Sequence, residues 1–255
     1  MLAIDASSLA SDLPCLIKPD AMVVVGSPVA GILEQVTVEQ GDLVQEGQVL
    51  AVLESSLEQS DVRVARAKAD MDAAIKSTEV KTAFSRRKAA RAKDLSKTSA
   101  IASHELDEAE TEVLLAEAAH LEAQEHKRLA ELELQRAEAA LALRTVKSPM
   151  SGVVVERYAF PGELIRQSPI LKLAKLHPLR VDAFVPLSWL GKIFTGMRGE
   201  VHILTSSAGD YPADVVLVNP VTETASGTFQ IGLALPNPEY RIPAGLPCTL
   251  RFPPK

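Results

Sequence analysis

The residues best suited to chemistry are sparse in this chain, and their spacing argues against catalysis. Five histidines stand at 104, 120, 126, 177 and 202. None has a cysteine or a further histidine at the short spacing that a zinc site uses. His120 and His126 fall about 240° apart around a helix and so occupy different faces. Glu122 and His126, four residues apart, read as a surface pair on a helix exterior. No glycine-rich loop of the kind that cradles phosphate occurs, and no nucleophile has an identifiable base beside it. The expectation is a protein that is not an enzyme, with no metal and no cofactor. Arg86, Arg87, Lys88, Arg91 and Lys93 form a dense basic run. On an exposed helix such a run reads as a solvated face.

Composition narrows the class further. The chain of 255 residues has 47% apolar residues but only 4% aromatic ones, with one tryptophan, Trp189, so no aromatic-lined pocket stands out. A net charge of -6 gives no electrostatic reason to expect nucleic acid. No apolar run of about 18 residues is present. The first residues, MLAIDASSLASDLPC, lack the charged start and continuous apolar core of an export signal. Cys15 follows Ser-Asp-Leu-Pro without an apolar stretch and does not read as a lipid-attachment site. Cys15 and Cys248 are able to pair in an oxidising compartment, but two scattered thiols decide nothing by themselves.

The elements that hold any site must come from the repeat in the sequence. SPVAGILEQVTVEQGDLVQEGQVLAVL, from Ser27, returns at Ser148 as SPMSGVVVERYAFPGELIRQSPILKLA, without a gap and at an offset of 121. Six of 27 positions are identical, among them Pro28 with Pro149, Gly31 with Gly152 and Gly41 with Gly162. Four of the six are Ser, Pro or Gly, which set turn geometry instead of filling a core. Ile32 with Val153, Asp42 with Glu163, and Val44 with Ile165 are conservative pairs. Each copy is too short to fold alone.

Between Gly47 and Pro149 lie 101 residues with neither Gly nor Pro, dominated by Ala, Glu, Lys, Arg and Leu. That composition predicts helix. Ser55 with Glu58 reads as a capping box at its start. Leu57, Val64, Met71 and Thr78 follow at intervals of seven. SKTSAIAS, at 96–103, predicts a break, with Ser103 as the cap of a second helix and Glu105 and Asp107 in its first turn. That helix carries Leu106, Val113, Leu114, Leu121, Leu129, Leu132 and Leu143. Two segments of about 40 residues would be rods of about 60 Å, folded back as an antiparallel hairpin with a narrow, alanine-rich seam. The hairpin brings the two half-motifs side by side, so that they complete one small β-sandwich. After Lys175 the alternation and turn spacing predict a small β-barrel, with a short helix around Trp189 and Leu190.

Paired half-motifs of this kind resemble the lipoyl or biotinyl carrier domain. A carrier, however, displays a lysine on the turn between its halves, within Met-Lys-Met or Asp-Lys-Ala. Neither tripeptide occurs, Lys147 lacks that context, and the hairpin occupies the place. A lipoyl domain split by a helical hairpin resembles the periplasmic adaptors, the HlyD-like membrane fusion proteins of bacterial tripartite efflux and type I secretion systems. The resemblance covers residues 20–252. It implies an α+β multi-domain fold: an N-terminal segment at 1–22, a split lipoyl-like sandwich at 23–54 plus 147–174, a helical hairpin at 55–146 with its tip near 96–103, a β-barrel at 175–252 and a tail at 253–255. Pro28, Gly31, Gly41, Pro149, Gly152 and Gly162 then serve as the turns of the lipoyl halves. Asn237 to Leu246, NPEYRIPAGL, is similar to a late turn of the adaptor barrel.

RAKDLSKTSAIASHELDEAE, from Arg91, resembles the adaptor tip that docks on a TolC-like outer-membrane channel. That pattern is Arg, Leu four residues on, Ser seven further, and a carboxylate downstream. Arg91, Leu95, Ile101 and Asp107 match; Ala102 stands at the serine position, with the hydroxyl displaced to Ser103. The resemblance implies a periplasmic, inner-membrane-associated adaptor without a cofactor. Its partners are the channel, an inner-membrane transporter of the RND or ABC class, and further copies of itself, a hexamer in the assembly. Many pump-linked adaptors carry a membrane-proximal domain, for which 255 residues leave no room. A cytosolic coiled-coil scaffold is the competing reading.

Overall fold

The structure is a computed structural model and describes residues 12–98, 100–204, 209–223 and 225–253. Residues 1–11 of the expected N-terminal segment, Ser99 of the expected tip and the last two residues of the expected tail lie outside the described ones. The chain divides into two compact units: Glu54–Thr145, and the chain that flanks it on both sides.

The flanking unit is all β. Its first strand, β1 (Leu13–Gly26), is long, as is β8 (Pro169–Pro186), and the two pair antiparallel along most of their length. The first half of β1 alternates strictly, with Leu13, Cys15 and Ile17 buried. It pairs with β12 (Pro247–Arg251) on one side and β8 on the other. With β9 (Arg198–Ile203), β10 (Asp210–Glu223) and β11 (Thr228–Leu235), these strands close in the order β1, β12, β9, β10, β11, β8 and back to β1. Closure removes the sheet edges, and Val181, Val201, Phe229, Ile231, Leu233 and Leu250 fill the interior. A 3-10 turn at Leu187–Trp189 ends just before Leu190, and Trp189 packs against Phe252 with ring centroids 6.2 Å apart. The residues set apart on sequence as an N-terminal segment therefore supply a barrel strand. Pro14 and Pro19 disguised it, because proline in a short apolar run argues against a strand. Cys15 and Cys248 lie opposite one another on β1 and β12 and form a disulfide that joins positions 233 apart.

The other halves of β1 and β8 belong to a sandwich. One layer continues the barrel sheet through β6 (Gly152–Arg157) to β3 (Leu43–Val44); the second holds β5 (Thr145–Lys147), β4 (Val49–Leu53), β2 (Gly31–Val36) and β7 (Leu164–Ile165) in that order. Leu33, Leu50, Leu53, Val154, Ile165, Ile170, Leu171 and Leu173 form its core. The repeat is visible bond by bond. The Gly41 N–H donates to the Val154 carbonyl at 2.8 Å, and the Gly162 N–H to the Leu33 carbonyl at 2.7 Å. The Leu33 N–H donates to the Glu163 carbonyl at 2.8 Å, and the Val154 N–H to the Asp42 carbonyl at 2.9 Å. Each bond has its image at the offset of 121, so the halves are related by a pseudo-two-fold. Gly41 and Gly162 have φ of +97° and +93°, where a side chain is strained. A Cβ on Gly152 would lie 2.4 Å from the Ala174 carbonyl oxygen. Ser27 and Ser148 each donate a hydroxyl to the carbonyl two residues on, at 2.6 Å. Chain leaves the sandwich from β4 and re-enters on its neighbour β5, and Lys147 sits within that strand, not on a turn.

The helical unit consists of α1 (Ser56–Ala69), α2 (Ala73–Ser96) and α3 (Ser103–Ala142). No helix among the described residues is long and apolar enough to cross a membrane. The first arm, expected unbroken, is interrupted at 70–72. Val62, Ala65 and Ala69 are the buried positions of α1, and Thr82 and Ser85 those of α2; a strict seven-residue repeat would place the latter one residue later. The interruption absorbs that shift in phase. It falls at Asp70 and Asp72, whose short carboxylates disfavour helix interiors. Ala109, Ala116 and Ala123 of α3 keep the repeat without a break.

The seam differs from the expected stripe. Leu57, Val64 and Met71 are exposed, as are Leu114, Leu121, Leu129, Leu132 and Leu143. Small residues occupy the seam because close helix approach leaves room for little else, and the larger apolar groups lie outside it. Charged pairs flank it: Arg66 with Glu138 at 2.6 Å, Lys68 with Glu133 at 3.5 Å, Arg86 with Glu117 and Lys88 with Glu112 at 2.7 Å, together with Asp72–Lys127 and Glu58–Arg144. Each step along α1 and α2 is matched by a step back along α3, which fixes the antiparallel register. The capping box at Ser55 does not form, because Glu58 is engaged by Arg144. Glu54 takes over, accepting from the Ser56 N–H at 2.8 Å; hydrogen bonding from the Ser56 side chain first, and from this backbone N–H second, holds its carboxyl below the usual value.

Two outcomes follow. Ser85 is fully buried, and its hydroxyl has no partner among the described residues. Ser85→Ala should raise hairpin stability by about 1 kcal/mol in a urea titration followed by helical circular dichroism. In the barrel, burial raises the Asp182 carboxyl pKa, but hydrogen bonds from Lys18 and Arg180 outweigh it, and the net shift is downward. Its contribution is complete above the ordinary aspartate range and is lost as pH falls through the lowered value. Asp182→Asn should cost about 1–2 kcal/mol near neutrality, and its melting temperature should converge with that of the unsubstituted protein at low pH.

Candidate docking site at the hairpin tip

The tip is built by the end of α2 and the start of α3. The Leu95 carbonyl accepts three bonds, from the Thr98 N–H at 3.2 Å, the Ala100 N–H at 3.1 Å and the Thr98 hydroxyl at 2.9 Å. These satisfy the last turn of α2 and reverse the chain without glycine. The helix α3 is capped one residue earlier than its sequence signal. Ala102 is the cap, in extended conformation with φ -73° and ψ 150°, and its carbonyl accepts from the Glu105 N–H at 3.1 Å. Ser103 is the first helical residue, and no side-chain bond caps the helix. The hydroxyl displaced from position 102 is thus not used by the turn.

Arg91, Leu95 and Ile101 come together in one groove of about 470 Å³. Ala92 and the buried Ala109 join Leu95 and Ile101 as its apolar lining; Lys88 and Arg91 come from α2, Glu105 and Glu108 from α3. Lys88 is committed to Glu112, whose hydrogen bond raises its pKa. Arg91 is exposed and makes no hydrogen bond or ion pair among the described residues, so its guanidinium is open to an outside acceptor. Leu95, 48% exposed, offers an apolar anchor one turn away.

Asp107 does not join them. It lines a second groove of about 420 Å³ with His104, Glu108, Thr111, Glu112 and Leu115, and Ser103 lines neither. Glu105 and Glu108 are the groove residues that sequence missed. Glu105 was read as a partner of the helix dipole alone, and the three-residue spacing that sets both carboxylates on one face was the available signal.

Within the basic run, Arg86 and Lys88 bind α3 carboxylates across the seam, while Arg87 and Lys93 are exposed. His126 lies 3.7 Å from Glu122, both largely exposed. His120 is held between the Thr78 hydroxyl and the Gln124 amide, each at 3.0 Å. No group of three His, Cys, Asp or Glu among the described residues could hold a metal ion. The groove offers apolar contact and charges of both signs, which suits an amphipathic helical surface.

Comparison with known proteins agrees with this architecture. Residues 21–174 match the family described as CzcB-like, barrel-sandwich hybrid domain. The pyoverdine export membrane fusion protein PvdR of Pseudomonas aeruginosa is 28% identical over 227 residues, which is 86% of this chain and 58% of that protein. The macrolide export protein MacA of Yersinia pestis is 26% identical over 233 residues, 87% of this chain and 62% of that protein. The chain therefore spans about three fifths of the length of these two relatives. Among solved structures, MacA from Actinobacillus actinomycetemcomitans superposes with a TM-score of 0.77 at 22% identity, covering 95% of this chain and 78% of that one. The membrane fusion protein Spr0693 from Streptococcus pneumoniae gives 0.65 at 16% identity, covering 96% of this chain and all of that one. More than half of the chain lies within the matched family, and its fold is that of solved membrane fusion proteins: the chain belongs to the CzcB-like barrel-sandwich hybrid domain family.

Proposed function

We propose that the chain is a non-enzymatic periplasmic adaptor that bridges an inner-membrane transporter of the RND or ABC class to a TolC-like outer-membrane channel. It acts as an oligomeric ring, a hexamer, whose hairpin tips dock on the channel. The observation that carries this reading is the tip groove, where Arg91, with no hydrogen bond or ion pair among the described residues, stands beside the exposed Leu95 and the half-buried Ile101. Docking uses these three residues, with Asp107 and Ser103 on neighbouring faces of the tip.

Three further features support it. Relatives named for pyoverdine and macrolide export share sequence with most of the chain. Val80, Phe84, Leu114, Leu121 and Leu129 are more than half exposed or nearly so, in a hairpin whose own seam takes only small residues. Side-by-side packing of hairpins would cover them. The Cys15–Cys248 disulfide fits an oxidising periplasm and weighs against a cytosolic scaffold. In this reading the functional division is a split lipoyl-like module at 23–54 and 147–174, a docking hairpin at 55–146 and a barrel at 175–252. Pro28, Gly31, Gly41, Pro149, Gly152 and Gly162 hold the turns that keep the split module together.

Arg91→Glu should reduce crosslinking of the tip to the channel, and export with it, by at least tenfold, while helical content stays unchanged. Leu95→Ala should give a smaller loss, and Asp107→Asn the smallest. Unaltered crosslinking in Arg91→Glu would remove the tip groove from the docking role.

A further inference from the structure

One strand of the barrel comes from the far end of the sequence. The strands β8 to β12 all lie within residues 169–251, whereas the first half of β1 enters between β12 and β8 and closes the ring. Without that half, β12 and β8 would be open edges, and the places of Leu13, Cys15 and Ile17 in the core would be empty. The second half of β1, from Ala21, stays paired with β8 in the sandwich.

The backbone alone holds the entering half thinly, since Pro14 and Pro19 donate no hydrogen bond. Other ties run along it. Both carboxylate oxygens of Asp12 accept from Arg251 at its start, and Lys18 pairs with Asp182 at 3.0 Å toward its end. The Ile17 N–H donates to the Leu246 carbonyl at 2.9 Å, and the Ile17 carbonyl accepts from the Gly245 N–H at 2.8 Å. Between these ties stands the covalent one, from Cys15 on β1 to Cys248 on β12. Its cysteines are only 9% and 2% exposed, and both belong to the barrel core with Leu13, Ile17 and Leu250. Thiol–disulfide exchange needs a thiolate to reach a sulfur, and the closed barrel denies that approach.

We propose that residues 13–19 are a docking strand for the slot between β12 and β8, and that the Cys15–Cys248 bond is a redox latch on it, made by exchange with an oxidant disulfide before the strand is fully seated. One cysteine thiolate attacks the oxidant disulfide, forming a mixed disulfide and expelling one oxidant thiol; the second cysteine thiolate displaces the other. The chain gives up two electrons and two protons, and the oxidant leaves as a dithiol. Seating then shields the latch from reductants. Loss of the latch frees this strand but leaves the sandwich and the hairpin folded, because neither cysteine belongs to the sandwich core or to the helices. The periplasmic reading supplies only the compartment of the oxidant. The latch is tested on purified protein, so either can fail without the other.

In the full oxidised chain, dithiothreitol should break the bond at least tenfold more slowly in buffer than in urea, with freed thiols alkylated and counted by intact mass. Amide hydrogen exchange then reads what the latch holds. In the chain reduced in urea and refolded with reductant, and in Cys15→Ala with Cys248→Ala, the amides of residues 15–18 and 248–250 should exchange at least tenfold faster. Those of β2, β6 and α3 should change little. Equal rates of reduction in buffer and urea would overturn the shielding, and two free thiols in the untreated chain would remove the bond itself. Unchanged exchange at residues 15–18 would overturn the latch. Acceleration throughout the chain, or failure of both forms to fold, would overturn it as well, by making the bond a support of the whole fold.

Discussion

The structure depends on the reciprocal backbone pairing of two half-domains that are far apart in the chain. Gly41 bonds to the strand of the second half, and Gly162 to the strand of the first, through bonds that are images of each other. Neither half has a core without the other: Leu33, Leu50 and Leu53 come from one, and Val154, Ile165 and Ile170 from the other. Whatever links the halves must therefore leave and return on neighbouring strands, here β4 and β5. An antiparallel pair of long helices meets that condition whatever its length, because its two ends stay adjacent. The length of the arm is thus not fixed by the split module.

The hairpin obeys a second constraint, the small size of its seam. Alanine, serine and threonine let α3 run close to α1 and α2, and Thr82 places its hydroxyl on the Ala116 carbonyl across the gap at 3.0 Å. Close approach excludes the leucines, and the charged pairs on both sides set the register in their place. A surface with so many exposed large apolar side chains is costly for an isolated helical pair.

Sequence reading succeeded where local composition is decisive, and failed where distant chain supplies the partner. The absence of Gly and Pro predicted helix correctly, yet the seven-residue series at Leu57, Val64 and Met71 pointed to the wrong face. A periodicity names a stripe, but only the facing helix determines whether leucine or alanine fits there. The capping box failed for a related reason: Glu58 had a better partner in Arg144, 86 residues away. In the tip, Arg91, Leu95 and Ile101 were singled out by the resemblance to the adaptor tip, and they line one groove. Glu105 and Glu108 were not, because their approach to α2 follows from the crossing of the helices.

The sequence alone determined that one domain is cut in two. The repeat at a fixed offset, with its glycines and prolines in the same order, encodes the turns, and turns depend on backbone conformation that single residues set. It also determined the helical insertion and the β character of the remainder. Tertiary structure decided the rest: that residues 13–19 close the barrel despite two prolines, and that Cys15 lies opposite Cys248. It decided too that the arm breaks at Asp70–Asp72 and that small residues face inward. Each of these depends on what is brought alongside from another part of the chain, and burial and pairing are properties of both surfaces, not of either sequence segment by itself.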